Sequence, residues 1–255
     1  MQLVSLTCHD FFFFASHDYG SCASPENVIN KYALMYALNR EITEVRRLIS
    51  LSTPHYLDDL PLMETYATAA TSLVVGSSTQ KSGSNATPSC HPKIGHKMFT
   101  ENYGDGLAGF TWNSLGETLL DSMKQDRLNL PKTGLYYKLK PLSLFHFFAI
   151  GNDLPGVIRI GKKQIPARLN KREMEMTLRR GEFSSSCPVV IADLPDDTEI
   201  LSGSFLTVPP TPLLISAKLR GRYIEIRDGT KATYQIPIPS VEKFTNSIGR
   251  MEGMS

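Results

Sequence analysis

The chain has 255 residues, 41% hydrophobic and 20% charged: enough apolar material for one large core, and a balance that excludes wholesale disorder. The formal net charge of +2 hides a division, because residues 1–130 carry 9 Lys/Arg against 13 Asp/Glu while residues 131–255 carry 18 against 12. Four scattered cysteines (Cys8, Cys22, Cys90, Cys187) form no Cys-x-x-Cys pair, no signal-peptide pattern opens the chain, and no apolar run reaches the roughly 20 residues of a bilayer span; together these lead us to expect a soluble cytoplasmic protein with reduced thiols and no membrane partner.

In chain order, "MQLVSLTCHDFFFFAS" reads as a first strand running into a second apolar segment, with His9 and Asp10 between them. "SPENVINKYALMYALN" (24–39) has a helix-start signature, with Ser24 as cap, Pro25 in the first turn and Asn39 as the stop. Val28, Ile29, Tyr32, Met35 and Tyr36 supply its apolar face. Turn signals surround Pro54 and Pro61, and the Ser-, Gly- and Thr-rich stretch 76–97 reads as a long loop or exposed hairpin arm. From 135 onward the pattern is of short strands, and Asp228-Gly229 between two alternating runs marks a hairpin. No repeat or clean boundary divides the chain. The expectation is one α+β domain over 1–255, strand-rich, with a flexible loop or thumb insertion within about 76–130.

Several motifs invite chemistry and are answered by a plainer reading. Gly104, Gly106 and Gly109 spell G-x-G-x-x-G, but neither the strand before it nor the helix after it is convincing, so a glycine loop is the better reading. Cys90, His91 and His96 cluster, yet the second pair of ligands that structural zinc needs is missing. With Lys93 and Lys97 beside them, the two histidines instead fit phosphate contact, a solvated loop, or a metal-independent nuclease. His9, His17 and His55 offer little, and His146, in the apolar "FHFF", reads as a satisfied core histidine. No G-x-S-x-G elbow, P-loop or H-E-x-x-H helix occurs.

The strongest feature is "GVIRIGKKQIPARLNKR" (156–172), which carries Arg159, Lys162, Lys163, Arg168, Lys171 and Arg172 without an acidic residue. Val157, Ile158 and Ile160 read as a strand with Arg159 turned outward. Gly161 permits a turn that brings backbone close to a ligand, and Lys162, Lys163 and Arg168 follow on an exposed connection. Lysine attracts phosphates without regard to sequence, while arginine chelates phosphate or stacks on a base. Tyr136, Tyr137, Lys138 and Lys140 add aromatic faces beside further cations, a combination suited to single-stranded nucleic acid.

Several fragments also carry a family resemblance. "HDFFFFAS", "NKYALMYAL" (30–38), "TPHYLDDL" (53–60) and "PGVIRIGKKQIPARL" (155–169), in that order, resemble the handle-capping subunits of type I-D CRISPR Cascade, within the broad Cas-five family. The resemblance implies a ferredoxin-like, RRM-related core whose opening β-α unit is the first strand and the 25–39 helix, with a β-hairpin thumb and added C-terminal strands. It implies a non-catalytic subunit with no cofactor that binds the 5′ handle of CRISPR RNA and caps a filament of backbone (Cas-seven-type) subunits. It would meet the large (Cas-ten-d type) subunit near the protospacer-adjacent motif of target double-stranded DNA. By the same resemblance Arg159, Lys162, Lys163 and Arg168, with Lys171, Arg172, Tyr137 and Lys138, are the RNA-binding candidates, and Lys93, His96 and Lys97 would reach RNA or DNA from a loop. A repeat endoribonuclease using His91 and His96, and a protein-only scaffold, are the alternatives.

Overall fold

The computed structural model describes residues 1–14, 16–18, 22–42, 56–72, 107–113, 116–119, 134–151, 153–229, 232–241, 243–246 and 248. The fold is mixed α+β and made mostly of strands, with a curled half-barrel sheet. Its opening strand is also the centre of its largest sheet. β1 (Gln2–Cys8) lies between β10 (Leu144–Ile150) and β12 (Ile165–Glu173), antiparallel to both. β11 (Val157–Ile160) closes one edge against β12; β4 (Val28–Ile29), β5 (Tyr66–Ala67) and β6 (Ala70–Thr71) extend the other side beyond β10. Period-two alternation explains the two faces. Val4, Leu6, Cys8, Phe145, Phe147, Ala167 and Leu169 are buried on the inner face, in one cluster with Leu34, Met35 and Leu38 of helix α1 (Lys31–Leu38). Each Val, Leu, Phe or Met side chain among them withdrawn from water contributes about 1.5–3 kcal/mol.

The helix begins later than the sequence pattern places it. Ser24 ends strand β3 (Cys22–Ser24), and the β-branched Val28-Ile29 pair forms β4 instead of a first helical turn. Asn30 is the cap: its side-chain oxygen accepts from the Tyr32 amide at 3.1 Å. Asn39 does end the helix, and its amide also binds the neighbouring chain. It donates to the carbonyls of Met35 (2.7 Å) and Thr65 (2.9 Å) and accepts from the amides of Glu64 and Thr65, both at 2.9 Å.

A second sheet is organised by β16 (Leu213–Asp228), which pairs with β13 (Glu175–Ser184), β14 (Val189–Val190), β15 (Glu199–Leu206) and β17 (Ala232–Pro237). The Asp228-Gly229 hairpin forms as its sequence indicates, with Asp228 opposite Ala232. Gly181 and Gly221 face each other across β13 and β16, and the Phe183 and Tyr223 rings stack over the gap at 4.6 Å. The third sheet runs β2 (His17–Asp18), β3, β9 (Gly134–Leu139), β7 (Leu107–Asn113) and β8 (Gly116–Leu119). Within 76–130 the described residues are thus the β7–β8 hairpin.

One buried ion pair joins these parts. Lys31 Nζ of α1 lies 2.6 Å from Asp193 Oδ2, on the 3-10 turn Ile191–Asp193 that follows β14. Tyr66 of β5 donates its hydroxyl to the same carboxylate oxygen at 2.5 Å. The ammonium also sits 5.3 and 5.1 Å from the ring centroids of Tyr32 and Tyr66. Burial lowers the Lys31 pKa, with Asp193 opposing that effect, and burial first and then Asp193 raise that of Tyr66. Removing one partner strands the other charge. Lys31→Ala is therefore expected to cost about 3–5 kcal/mol in urea denaturation, and the paired replacement Lys31→Met with Asp193→Leu to recover most of that loss.

Candidate nucleic-acid interface

The basic stretch folds as one hairpin at the edge of the first sheet. β11 and β12 pair in register from Val157↔Arg168 to Ile160↔Ile165, joined by the turn Gly161–Gln164. Ile158, Ile160, Ile165, Ala167 and Leu169 face the core, which turns Arg159 and Arg168 outward. Arg168 is a strand residue, not part of a connecting loop, because the alternation that buries Ala167 and Leu169 continues through it. Lys162 and Lys163 occupy the tip and are exposed.

Gly161 forms the turn that the sequence indicates, and there it packs against Phe12 and Phe13. Its φ is +80°, and an added Cβ would lie 2.5 Å from Phe12 Cε2 and 3.1 Å from the Phe13 carbonyl oxygen. The neighbouring Lys162 amide donates to that same Phe13 oxygen at 3.0 Å. Phe12 is buried, exchanges backbone hydrogen bonds with Leu139 at 2.9 and 2.8 Å, and packs on Phe14 and Phe145. The Phe12 ring and the Phe13 carbonyl therefore form the support on which the cationic tip rests.

The other candidates are placed unequally. Lys171 points from the opposite face of β12, and its ammonium donates to the Leu154 carbonyl. Arg172 forms an ion pair with Asp228 at 3.0 Å. Arg159 donates to the Gln164 carbonyl at 3.1 Å, which steadies the turn. Lys138, expected beside exposed aromatic faces, is buried, with Nζ 4.2 Å from the Phe110 centroid and 5.2 Å from that of Tyr136. Tyr136 in turn packs on Phe13 at 5.2 Å and Phe110 at 5.8 Å. Alternation puts half-buried Tyr137 on the other face of β9 from both. Cys90, His91, Lys93, His96 and Lys97 lie outside the described residues, as do His55, Gly104 and Gly106.

The sheet's outer face holds what the sequence did not single out. Asn170 of β12 is opposite Ser5 of β1, and Ser5 is opposite His146 of β10, so the three side chains form a row on one face. Ser5 Oγ and His146 Nδ1 are hydrogen-bonded at 3.0 Å. Arg168 and Arg172 flank Asn170 on the same face, two residues away along β12. Beyond this row the face closes: Leu3 and Phe148 are buried, and Phe148 packs on Tyr234 of β17. His146 is thus satisfied, as its apolar setting implied, yet it belongs to a half-open polar row. Burial and, after it, the Arg172 charge hold its imidazole below the usual range. The Cys8 and Cys187 thiols are poor nucleophiles, since burial pushes Cys8 up to about 12 and Cys187 up to about 11.

The family model of the type I-D CRISPR-associated protein Cas5/Csc1 matches residues 1–247. The chain belongs to that family. Cas5/Csc1 membership makes it a subunit of a type I-D CRISPR effector complex. A search of curated proteins finds no match. Among the described residues of this Cas5/Csc1 chain, no helix is long and apolar enough to cross a membrane.

Two outcomes follow from the local geometry. Gly161→Ala forces a side chain into positive φ and into the Phe12 ring, and is expected to cost about 2–4 kcal/mol in chemical denaturation, whereas Lys162→Ala should stay within about 0.5. His146 titrates at its ordinary 6.5 when unfolded and lower when folded, so the unfolded chain takes up the proton first as pH falls. Stability should therefore decline as pH drops below 6.5, and His146→Gln should flatten that part of the curve of Tm against pH.

Proposed function

We propose that the chain is the non-catalytic RNA-binding subunit of its effector complex, holding the 5′ handle of CRISPR RNA and capping the filament of backbone (Cas-seven-type) subunits. In this reading it also meets the large (Cas-ten-d type) subunit, close to where the protospacer-adjacent motif of double-stranded target DNA is read in antiviral defence. The observation that carries the reading is the exposed cationic edge: Lys162 and Lys163 at the hairpin tip, with Arg159 and Arg168 outward behind them. A single-stranded RNA end is gripped through its sugar–phosphate backbone, and an edge hairpin presents cations without needing a closed pocket.

The strand order supports a ferredoxin-like core. β12, β1, β10 and β6 are successive neighbours, all antiparallel, and α1 lies in the chain between β1 and β6. That order suits a β-α-β-β-α-β unit in which the edge strand β11 and its turn take the second helix's place in chain order.

The test is binding and cleavage of a labelled CRISPR-repeat RNA across a salt series, with chelator present. Intact RNA and a steep salt dependence are expected. Charge reversal by Lys162→Glu with Lys163→Glu should weaken binding to all sequences and lower the log–log salt slope by about 1–2. Cleaved RNA, or binding indifferent to that reversal, would overturn the reading.

A further inference from the structure

We propose that the row Asn170–Ser5–His146 on the outer face of the first sheet seats one unstacked base of the bound RNA strand and reads its edge, with Arg168 and Arg172 holding phosphates on either side. The inference rests on the RNA-binding reading above and adds to it a place where sequence is recognised.

The row is fixed by register. Directly opposed residues in an antiparallel pair stand side by side on one face, and the three strands carrying these residues span about 10 Å. Their chemistry suits a base edge better than a phosphate. Asn170 is exposed and offers both a donor and an acceptor, the combination that pairs with the edge of a base. The bond between Ser5 Oγ and His146 Nδ1 orients the ring and leaves Nε2 as its remaining polar atom. Burial and Arg172 keep that ring neutral near pH 7, so it presents a directional hydrogen bond and no charge.

The arginines supply the complementary half. Arg168 is exposed and makes no ion pair among the described residues. Arg172 is steadied by Asp228 at 3.0 Å, which fixes its guanidinium beside the row while leaving other donors of the fork. The two lie four residues apart on one face of β12, about 13 Å along the strand, with Asn170 between them. The face is bounded at the Phe148–Tyr234 contact and continues at the other edge into the cationic hairpin. A strand crossing it thus passes from sequence-blind lysines to a site able to tell bases apart, the division of labour expected when phosphate contacts position and base contacts specify.

The experiment uses the reconstituted effector complex and a panel of labelled repeat RNAs in which each handle base is replaced singly. The wild type is expected to disfavour substitution at one position by roughly tenfold, the scale of a good base contact. Asn170→Ala and His146→Ala should each reduce that discrimination to within about twofold while the salt slope is unchanged, since neither removes a phosphate contact. Ser5→Ala, which frees the ring without deleting it, should give an intermediate loss, and thermal melting of each variant separates misfolding from lost reading. Discrimination that persists in all three folded variants, a wild type equally tolerant at every position, or a uniform weakening with a shallower slope would overturn the inference while leaving RNA binding in place. Failure of the wild type to bind any RNA in the panel would remove both readings together.

Discussion

The arrangement depends on a charge that has been taken out of water. Lys31 and Asp193 meet at 2.6 Å where both are buried, and Tyr66 adds a hydrogen bond to the same carboxylate oxygen. A hydrophobic contact tolerates sliding, whereas a buried ion pair loses its compensation within an ångström or two. The pair therefore fixes the start of α1 against the turn after β14 and against β5. With the helix held there, Leu34, Met35 and Leu38 join the inner-face cluster of the first sheet. The outer face stays partly open, and that is the face on which Asn170, Ser5 and His146 align.

The cationic edge owes its shape to a second constraint, the contact between Gly161 and Phe12. Lysines on a free loop attract phosphate but do not place it; here the tip is held by the Lys162 amide bonded to the Phe13 carbonyl and by a ring where a Cβ would otherwise sit. On the RNA-binding reading proposed above, a tip held in this way loses less conformational entropy on binding. Lys138 shows the opposite outcome for a cation in an aromatic setting: enclosed by Phe110 and Tyr136, it contributes to packing in the third sheet.

How much of this was legible in the sequence depends on whether the signal was local. Strand periodicity identified β1, β10, β11 and β16, the Asp228-Gly229 turn identified its hairpin, and Asn39 ended the helix as read. The helix start was misplaced because Ser24, Pro25 and Glu26 form a good start signal, while the pairing of Val28-Ile29 with β6 is set by tertiary contact. The cationic run and the turn at Gly161 are legible, but nothing in the sequence announces the Phe12 ring, 149 residues earlier, against which that glycine packs. Ser5, His146 and Asn170 are far apart in the chain and individually ordinary. Only register brings them together, and a single sequence does not encode register visibly.

β16 changes allegiance along its length. Ala217, Leu219 and Tyr223 point into the smaller core, and Ile224 and Ile226, on the opposite face, point into the larger one. A slip of one residue would reverse both faces together, putting Lys218 or Arg220 into one core and Glu225 or Arg227 into the other. The strand thus checks its own alignment at two independent places, and a mispaired chain fails both checks at once. Such double proofreading lets a long strand remain specific while its edge neighbour β15 stays mostly exposed.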